Sequence, residues 1–262
     1  MSDEDVRKAY WNDKYLEYWK SRVDEAGQGK SKVINGDSNT EDDGVYQRVF
    51  DTHGFNQGSL LEVGCAWGRM FPIYLGFGLN VTGSDISQAM VEAARKEWQG
   101  KEGVNAVVET PAEHLPFCDE QFDNLACLAT LDATFQHQAV TEFLRVTKPG
   151  ARIIITGKND HYFQDDEEAY HAEVGARRKN HPNFFTDCRR LVRLLTDQGH
   201  VIEAAYCFPR RGDFARFNYV TTMGERFYEY LLVISRGHSY APLSEFSDSY
   251  SRTFHELENN DD

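Results

Sequence analysis

The stretch "LLEVGCAWGRM", residues 60–70, is an apolar run that breaks into a turn carrying Gly64, Ala66 and Gly68. Glycines at the end of a buried strand let backbone N–H groups and the start of the next helix approach a ligand, because no side chain intervenes. The dinucleotide fingerprint G-x-G-x-x-G would need glycines where the chain has Ala66 and Arg69. A ligand with no pyrophosphate at this turn needs less room and tolerates the alanine. The next strand-like run ends in "GSDIS" and sets Asp85 where an acidic side chain meets the hydroxyls of an adenosine ribose.

Further groups could act on a second ligand. His137 in "DATFQHQAV" and His161 in "GKNDHYF" follow the fourth and fifth strand-like runs, at the sheet edge where ligands bind, and are candidate general bases. Arg210, Arg211 and Arg216 in "PRRGDFARFNY" form a local basic cluster in an acidic chain. The planar guanidinium suits a carboxylate or phosphate, so the cluster marks a candidate contact to an anionic substrate, against the plainer reading of a solvated loop.

The elements that must position these groups alternate. Strand-like runs at 59–63, 79–84, 104–108, 122–128 and 151–156 are separated by helical patterns such as "SQAMVEAARKEW" or by short loops. A helix around "TDCRRLVRLLTDQG" and the strand-like "HVIEAAYCF" and "FYEYLLVIS" follow. Near-continuous apolar strands alternating with helices predict a doubly wound, mostly parallel Rossmann-like α/β sheet with helices on both faces. Ahead of it, Val6, Tyr10, Tyr15, Trp19 and Val23 recur at spacings that predict an amphipathic helix from Asp5 to about Ala26. The expected organisation is a helical cap over 1–56, the main domain with acceptor-pocket insertions over 57–240, and a tail over 241–262 with the acidic composition of disorder. Gly29-Lys30-Ser31 resembles the end of a P-loop, but that motif needs glycine at Asp24.

Composition narrows the function classes. The 42 acidic and 28 basic residues give a net charge of -14, which repels phosphate backbones and argues against nucleic acid. Five scattered cysteines without a Cys-x-x-Cys pair suggest neither a disulfide framework nor a metal centre, and fit a reducing cytoplasm. No apolar run approaches the roughly 20 residues of a membrane span, and "MSDEDVRK" lacks the start of a signal peptide.

In order and separation, "LLEVGCAWG", "VTGSDISQAMVEAA", "AEHLPFCDEQFD" and "LRVTKPGARIIIT" resemble the class I S-adenosylmethionine-dependent methyltransferases of the small-molecule type. The resemblance covers roughly residues 60–160 and more loosely extends to 236, and implies a seven-stranded sheet and S-adenosyl-L-methionine as cofactor. It implies that Gly64, Ala66 and Gly68 line the methionine side, that Glu62 orders that part, that Asp85 grips the ribose and that Ile86 packs on adenine. Ala112 and Glu113 fall where the family contacts the adenine edge, Leu128 would face the cofactor, and Tyr18 of the N-terminal aromatic segment would close over it. The family often has Asp before that alanine; here it is Pro111. Members that methylate planar amides or base nitrogens carry an Asn/Asp-Pro-Pro-aromatic motif where this chain has "LATLDA". The implied reaction is methyl transfer to an O or N atom of a small metabolite, with an anionic one suggested by the arginines. A hydroxyl acceptor would call for a base such as His137 or His161, and a carboxylate for none. A non-catalytic relative that binds the cofactor or a partner is the second reading.

Overall fold

Leu60, Leu61, Glu62 and Val63 are buried in succession, as in a strand covered on both faces, and form β1 (Ser59–Val63). The computed structural model describes residues 3–12, 15–27 and 43–258. In it β1 pairs in parallel with β2 (Asn80–Asp85) and with β4 (Phe122–Cys127). Beyond these lie β3 (Val104–Glu109) and β5 (Thr147–Lys158), both parallel as well. β7 (Val201–Phe208) and β8 (Glu229–Ser235) complete a seven-stranded sheet in the order β3-β2-β1-β4-β5-β8-β7, with β8 antiparallel to both neighbours. β6 (Phe185–Thr186) and β9 (Ser247–Asp248) form a separate small pair. The fold is the Rossmann-like sheet that the alternation of patterns predicts.

The two-residue period of the strands divides the core between the faces. Leu61, Leu125 and Ile153 pack on one side with Phe143 of α6 (Gln136–Val146) and Leu191 of α8 (Cys188–Asp197). Leu60, Ala126 and Ile154 pack on the other with Phe50 of α3 (Asp43–His53), Tyr74 of α4 (Phe71–Gly76) and Ala94 of α5 (Gln88–Trp98). Chain order runs outward from β1 in both directions, through β2 on one side and β4 on the other. The carboxyl ends of these strands border the crevice where such sheets take ligands.

Two departures from the sequence reading bear on the site. The expected single N-terminal helix is two, α1 (Asp3–Asn12) and α2 (Tyr15–Gly27). Asn12, the last residue of α1, spends its carboxamide oxygen on the first turn of α5, accepting from Ala89 N at 3.2 Å and Ser87 Oγ at 2.9 Å. The polar stretch with Gly29-Lys30-Ser31 lies outside the described residues. The acidic tail, in contrast, is packed as far as Glu258. β9 and α10 (Arg252–Glu258) bury Phe246 and Phe254, Leu243 joins the sheet core, and Arg252 holds both oxygens of Asp160 at 2.8 and 2.9 Å. Composition suggested disorder because these apolar residues are few and isolated, yet each reaches a pocket in the main body. Between them α7 (Glu167–Arg178) and the short α9 (Asp213–Arg216) complete the helices.

Candidate functional site

The turn after β1 is folded by residues in the left-handed region. Gly64 has φ +75°, and a Cβ there would stand 2.2 Å from Thr130 Oγ1 in the segment after β4. Ala66 adopts φ 48° although it is not glycine. That conformation aims its N–H at Asp85, donating to Oδ2 at 2.9 Å, while Ser87 N donates to Oδ1 at 2.9 Å. The glycine turn and the end of β2 are thereby locked to each other through one carboxylate. A left-handed alanine costs about 1–2 kcal/mol, and glycine there would lose more chain entropy on folding, about 0.4–1 kcal/mol. Ala66→Gly is therefore expected to leave stability unchanged or raise it by up to about 1.6 kcal/mol in chemical denaturation.

Burial pushes the Asp85 carboxyl up to about 6, against the lowering effect of the Ser87 and Ala66 amides. It borders a cavity that opens at the carboxyl ends of β1, β2 and β4. Of the residues named from sequence, Gly64, Ala66, Asp85, Ile86, Ala112 and Leu128 line it together. Gly68 (φ +78°) lies one step away, its missing Cβ making room for the Trp98 ring, 2.6 Å from where that atom would be. Glu62 is buried behind the turn and accepts from Tyr74 Oη at 3.2 Å. Glu113 is also buried outside the cavity wall, paired with Arg7 at 2.8 Å and accepting from Phe135 N at 2.6 Å.

Tyr18 is 44% exposed and does not line the cavity; Trp11 and Trp19 do, with Arg7. Trp19 belongs to the predicted aromatic stripe, but in α1 the cavity side is carried by Arg7 and Trp11, one residue on from Val6 and Tyr10. Val6 is half exposed, whereas Arg7, carrying charge, faces inward because Glu113 waits for it. The i, i+4 pair Arg7 and Trp11 was a signal in the sequence, hidden by the habit of placing charges outside. Arg69, which displaces the third glycine of a dinucleotide site, also lines the cavity.

The candidate acceptor residues lie elsewhere. His137 is half-buried in the first turn of α6, outside the cavity wall. His161 is buried against the tail, with Nε2 at 3.0 Å from Glu256 and Nδ1 at 3.5 Å from Glu225. Arg210 grips both oxygens of Asp165 at 3.0 Å, Arg211 donates to Tyr228 Oη at 2.8 Å, and the exposed Arg216 stands 3.9 Å from Asp213. None of the five borders the cavity. Between the cavity-lining Thr130 and Ala133, Asp132 sits in a single 3-10 turn (Leu131–Ala133) after β4 and pairs at 2.9 Å with Lys158 at the end of β5. Burial works against both charges, but each holds the other ionised: Asp132 lies below the usual carboxylate range and Lys158 above the usual lysine one. Among the described residues no cluster of three metal-ligating side chains occurs, and no helix is long and apolar enough to cross a membrane.

Residues 61–155 match the model of the methyltransferase domain family. The chain is 31% identical over 97 residues to a demethylmenaquinone methyltransferase of Clavibacter sepedonicus, 37% of this chain and 39% of that protein. It is 32% identical over 90 residues to the ubiquinone/menaquinone biosynthesis C-methyltransferase UbiE of Pseudomonas paraeruginosa, 33% of this chain and 35% of that protein. The chain thus spans less than half the length of these curated relatives. Among solved structures, geranyl diphosphate C-methyltransferase from Streptomyces coelicolor A3(2), in complex with Mg2+, geranyl-S-thiolodiphosphate and S-adenosyl-L-homocysteine, superposes with a TM-score of 0.61 at 17% identity, covering 89% of this chain and 97% of that one.

Proposed function

We propose, from the premise that this chain carries a class I methyltransferase domain, that it is an S-adenosylmethionine-dependent methyltransferase acting on a small molecule. The observation that carries this reading is the Asp85 carboxylate set beside Gly64 and Ala66 in one cavity at the ends of β1 and β2. The residues present fit the donor. Gly64 lets the turn pack against Thr130 with its backbone on the cavity wall, and Asp85 offers a charged acceptor to a pair of ribose hydroxyls. Ile86, Met90 and Ala112 form an apolar slot for a purine, and Trp11 and Trp19 present aromatic rings to a sulfonium.

S-adenosylmethionine supplies an activated methyl group on sulfur when bound. The chain's task is then to fix its partner in line with that group and to exclude water. The tryptophans of α1 and α2 cover the cavity, and Arg7 and Asn12 tie α1 to the loop after β3 and to α5. The acceptor atom in this reading is O or N of a small metabolite; the names of the relatives extend the candidates to carbon. The anionic character inferred from Arg210, Arg211 and Arg216 is not carried by those residues at the cavity wall, where the arginines are Arg7 and Arg69 instead. Calorimetry with S-adenosylmethionine and S-adenosylhomocysteine, followed by an acceptor screen with labelled donor, tests the reading; absence of binding to the wild-type protein would sink it.

The elevated Asp85 pKa gives a pH test with a definite sign. A carboxyl raised above its unfolded value of about 3.9 stabilises the free fold below that pH, and the contribution is lost as pH rises through about 6. Ribose hydroxyls donating to the group favour its ionised form and oppose that loss. Product affinity is therefore expected to weaken by about tenfold per pH unit on acidification below 6, and Asp85→Asn to flatten the profile. A pH-independent dissociation constant between 4.5 and 7 (roughly the window set by that shift) would remove Asp85 from the ribose.

A further inference from the structure

Arg7 of α1 lines the cavity, and only part of its guanidinium is used. Nη1 donates to Glu113 Oε1 at 2.8 Å and to Ala133 O at 3.1 Å, while Cζ lies 4.5 Å over the Phe135 ring. Nε and Nη2 have no hydrogen-bond partner among the described residues; Nε is fully enclosed, whereas Nη2 keeps an open face. The residue is only 7% exposed, so that face opens on the cavity. Arg145 shows what such a side chain holds when fully used. Its Nη1 donates to Asp119 at 2.8 Å, and its Nε and Nη2 grip the two oxygens of Glu142 at 2.7 Å each. Arg7 has the first half of that arrangement, with Glu113, and nothing for the second.

The open edge belongs to the half of the cavity that the methyl donor leaves. Asp85, tied to Ala66 and Ser87, sets the ribose at the ends of β1 and β2. Phe135 N donates to Glu113 Oε1 at 2.6 Å and draws the loop after β3 across to the segment after β4, where Arg7 is seated. Thr130 and Thr134 line the same side, but their hydroxyls donate to Leu128 O at 3.0 Å and Leu131 O at 2.7 Å. Their protons are committed; Arg7 has a charged N–H to give. The charge balance points the same way. Asp85 on the wall and Glu113 behind it offset Arg7 and Arg69, so the net positive charge of a bound sulfonium donor is left for the second ligand to balance.

We propose that Arg7 binds the methyl acceptor, its Nη2–H taking a carboxylate of a small acid that enters between α1 and the segment after β4. The inference rests on the methyl-donor reading and names the acceptor class of that same site. Because the anchor stands on the cap, a bound acid also holds α1 in place.

The test uses the full chain with sinefungin, which carries an ammonium group where the donor carries its sulfonium, and two probes, hexanoate and its uncharged counterpart hexanamide. The readout is the ratio of the two probe affinities within each protein, measured by ligand-observed NMR, because loosening of the cap affects both probes alike. In the wild-type complex hexanoate is expected to bind about 10- to 100-fold tighter than hexanamide, the worth of a hydrogen bond between charged groups. Arg7→Lys, which keeps a cation for Glu113 but has no second edge, should cut this preference by about 3- to 10-fold, and Arg7→Met with Glu113→Gln should abolish it. The assignment is overturned by absence of hexanoate binding to the wild-type complex, by equal affinity for the two probes, or by a preference that survives in either variant. Hexanoate that competes with sinefungin instead of binding beside it would place the carboxylate in the donor's own footprint and overturn it as well. Failure of sinefungin to bind the wild-type protein is a separate result, seen before either probe is added, and overturns the donor reading together with what rests on it.

Discussion

Gly64→Ala is expected to destabilise the fold by roughly 2–6 kcal/mol and to weaken donor binding more than tenfold. Two costs add. The residue sits at φ +75°, where an L side chain is strained by about 1–3 kcal/mol. Its new methyl would also stand 2.2 Å from Thr130 Oγ1 and 2.6 Å from Thr130 Cβ, an overpacking worth about 1–3 kcal/mol. Neither cost can be relieved locally, because Gly64 N and Cys65 N are bound to Ser84 O at 2.7 and 3.0 Å and Ala66, two residues on, holds Asp85. A shift of the turn therefore releases the carboxylate at the same time. The steric part has a signature: Thr130→Gly in the Gly64→Ala background should recover about 1–3 kcal/mol and leave the backbone strain in place. Urea denaturation and calorimetry read both quantities, and additive effects of the two substitutions would show that the clash is absent.

What could be read from the sequence follows physical locality. The strands, their parallel order and the Gly64, Ala66 and Asp85 turn were legible because each depends on a few neighbouring residues: an apolar run, a glycine, an acid at the end of the next run. Ala66 kept the turn despite its methyl because the Asp85 carboxylate accepts its N–H. The contacts on the β4–β5 side of the cavity were not legible, since they join α1, the turn after β4, the end of β5 and the loop after α7. His137 and His161 follow the right strands, but one turn of helix carries His137 off the cavity wall and the tail claims His161. The arginines stand away from the cavity wall, where Arg210 holds Asp165, Arg211 donates to Tyr228 and Arg216 lies beside Asp213. Phe246 and Phe254 show the same effect in the tail, where few apolar residues suffice because their pockets belong to distant segments.

Arg7→Ala should release the cap and lower donor affinity without unfolding the sheet. Arg7 is 7% exposed and makes every kind of contact open to a guanidinium: an ion pair with Glu113 at 2.8 Å, a hydrogen bond to Ala133 O at 3.1 Å, and a cation–π contact 4.5 Å above the Phe135 ring. Glu113 is equally buried, so removing the cation strands a carboxylate whose remaining donor among the described residues is Phe135 N. Breaking a buried pair from one side costs about 3–5 kcal/mol. α1 can undock and admit water to Glu113 for less than the cost of unfolding the sheet, so the penalty should appear there. Amide exchange across α1 is expected to accelerate by a factor of 100 or more (about 3 kcal/mol of opening free energy, at the lower end of that range), while exchange in β1 and β4 stays slow. Removing both charges distinguishes this from a loss of packing. Arg7→Met with Glu113→Gln should be more stable than Arg7→Met alone, because the stranded charge is gone and the methionine still covers Phe135. If the double variant is no better than the single one, the pair is not what holds α1, and the Asn12 contacts to Ser87 and Ala89 become its principal anchor.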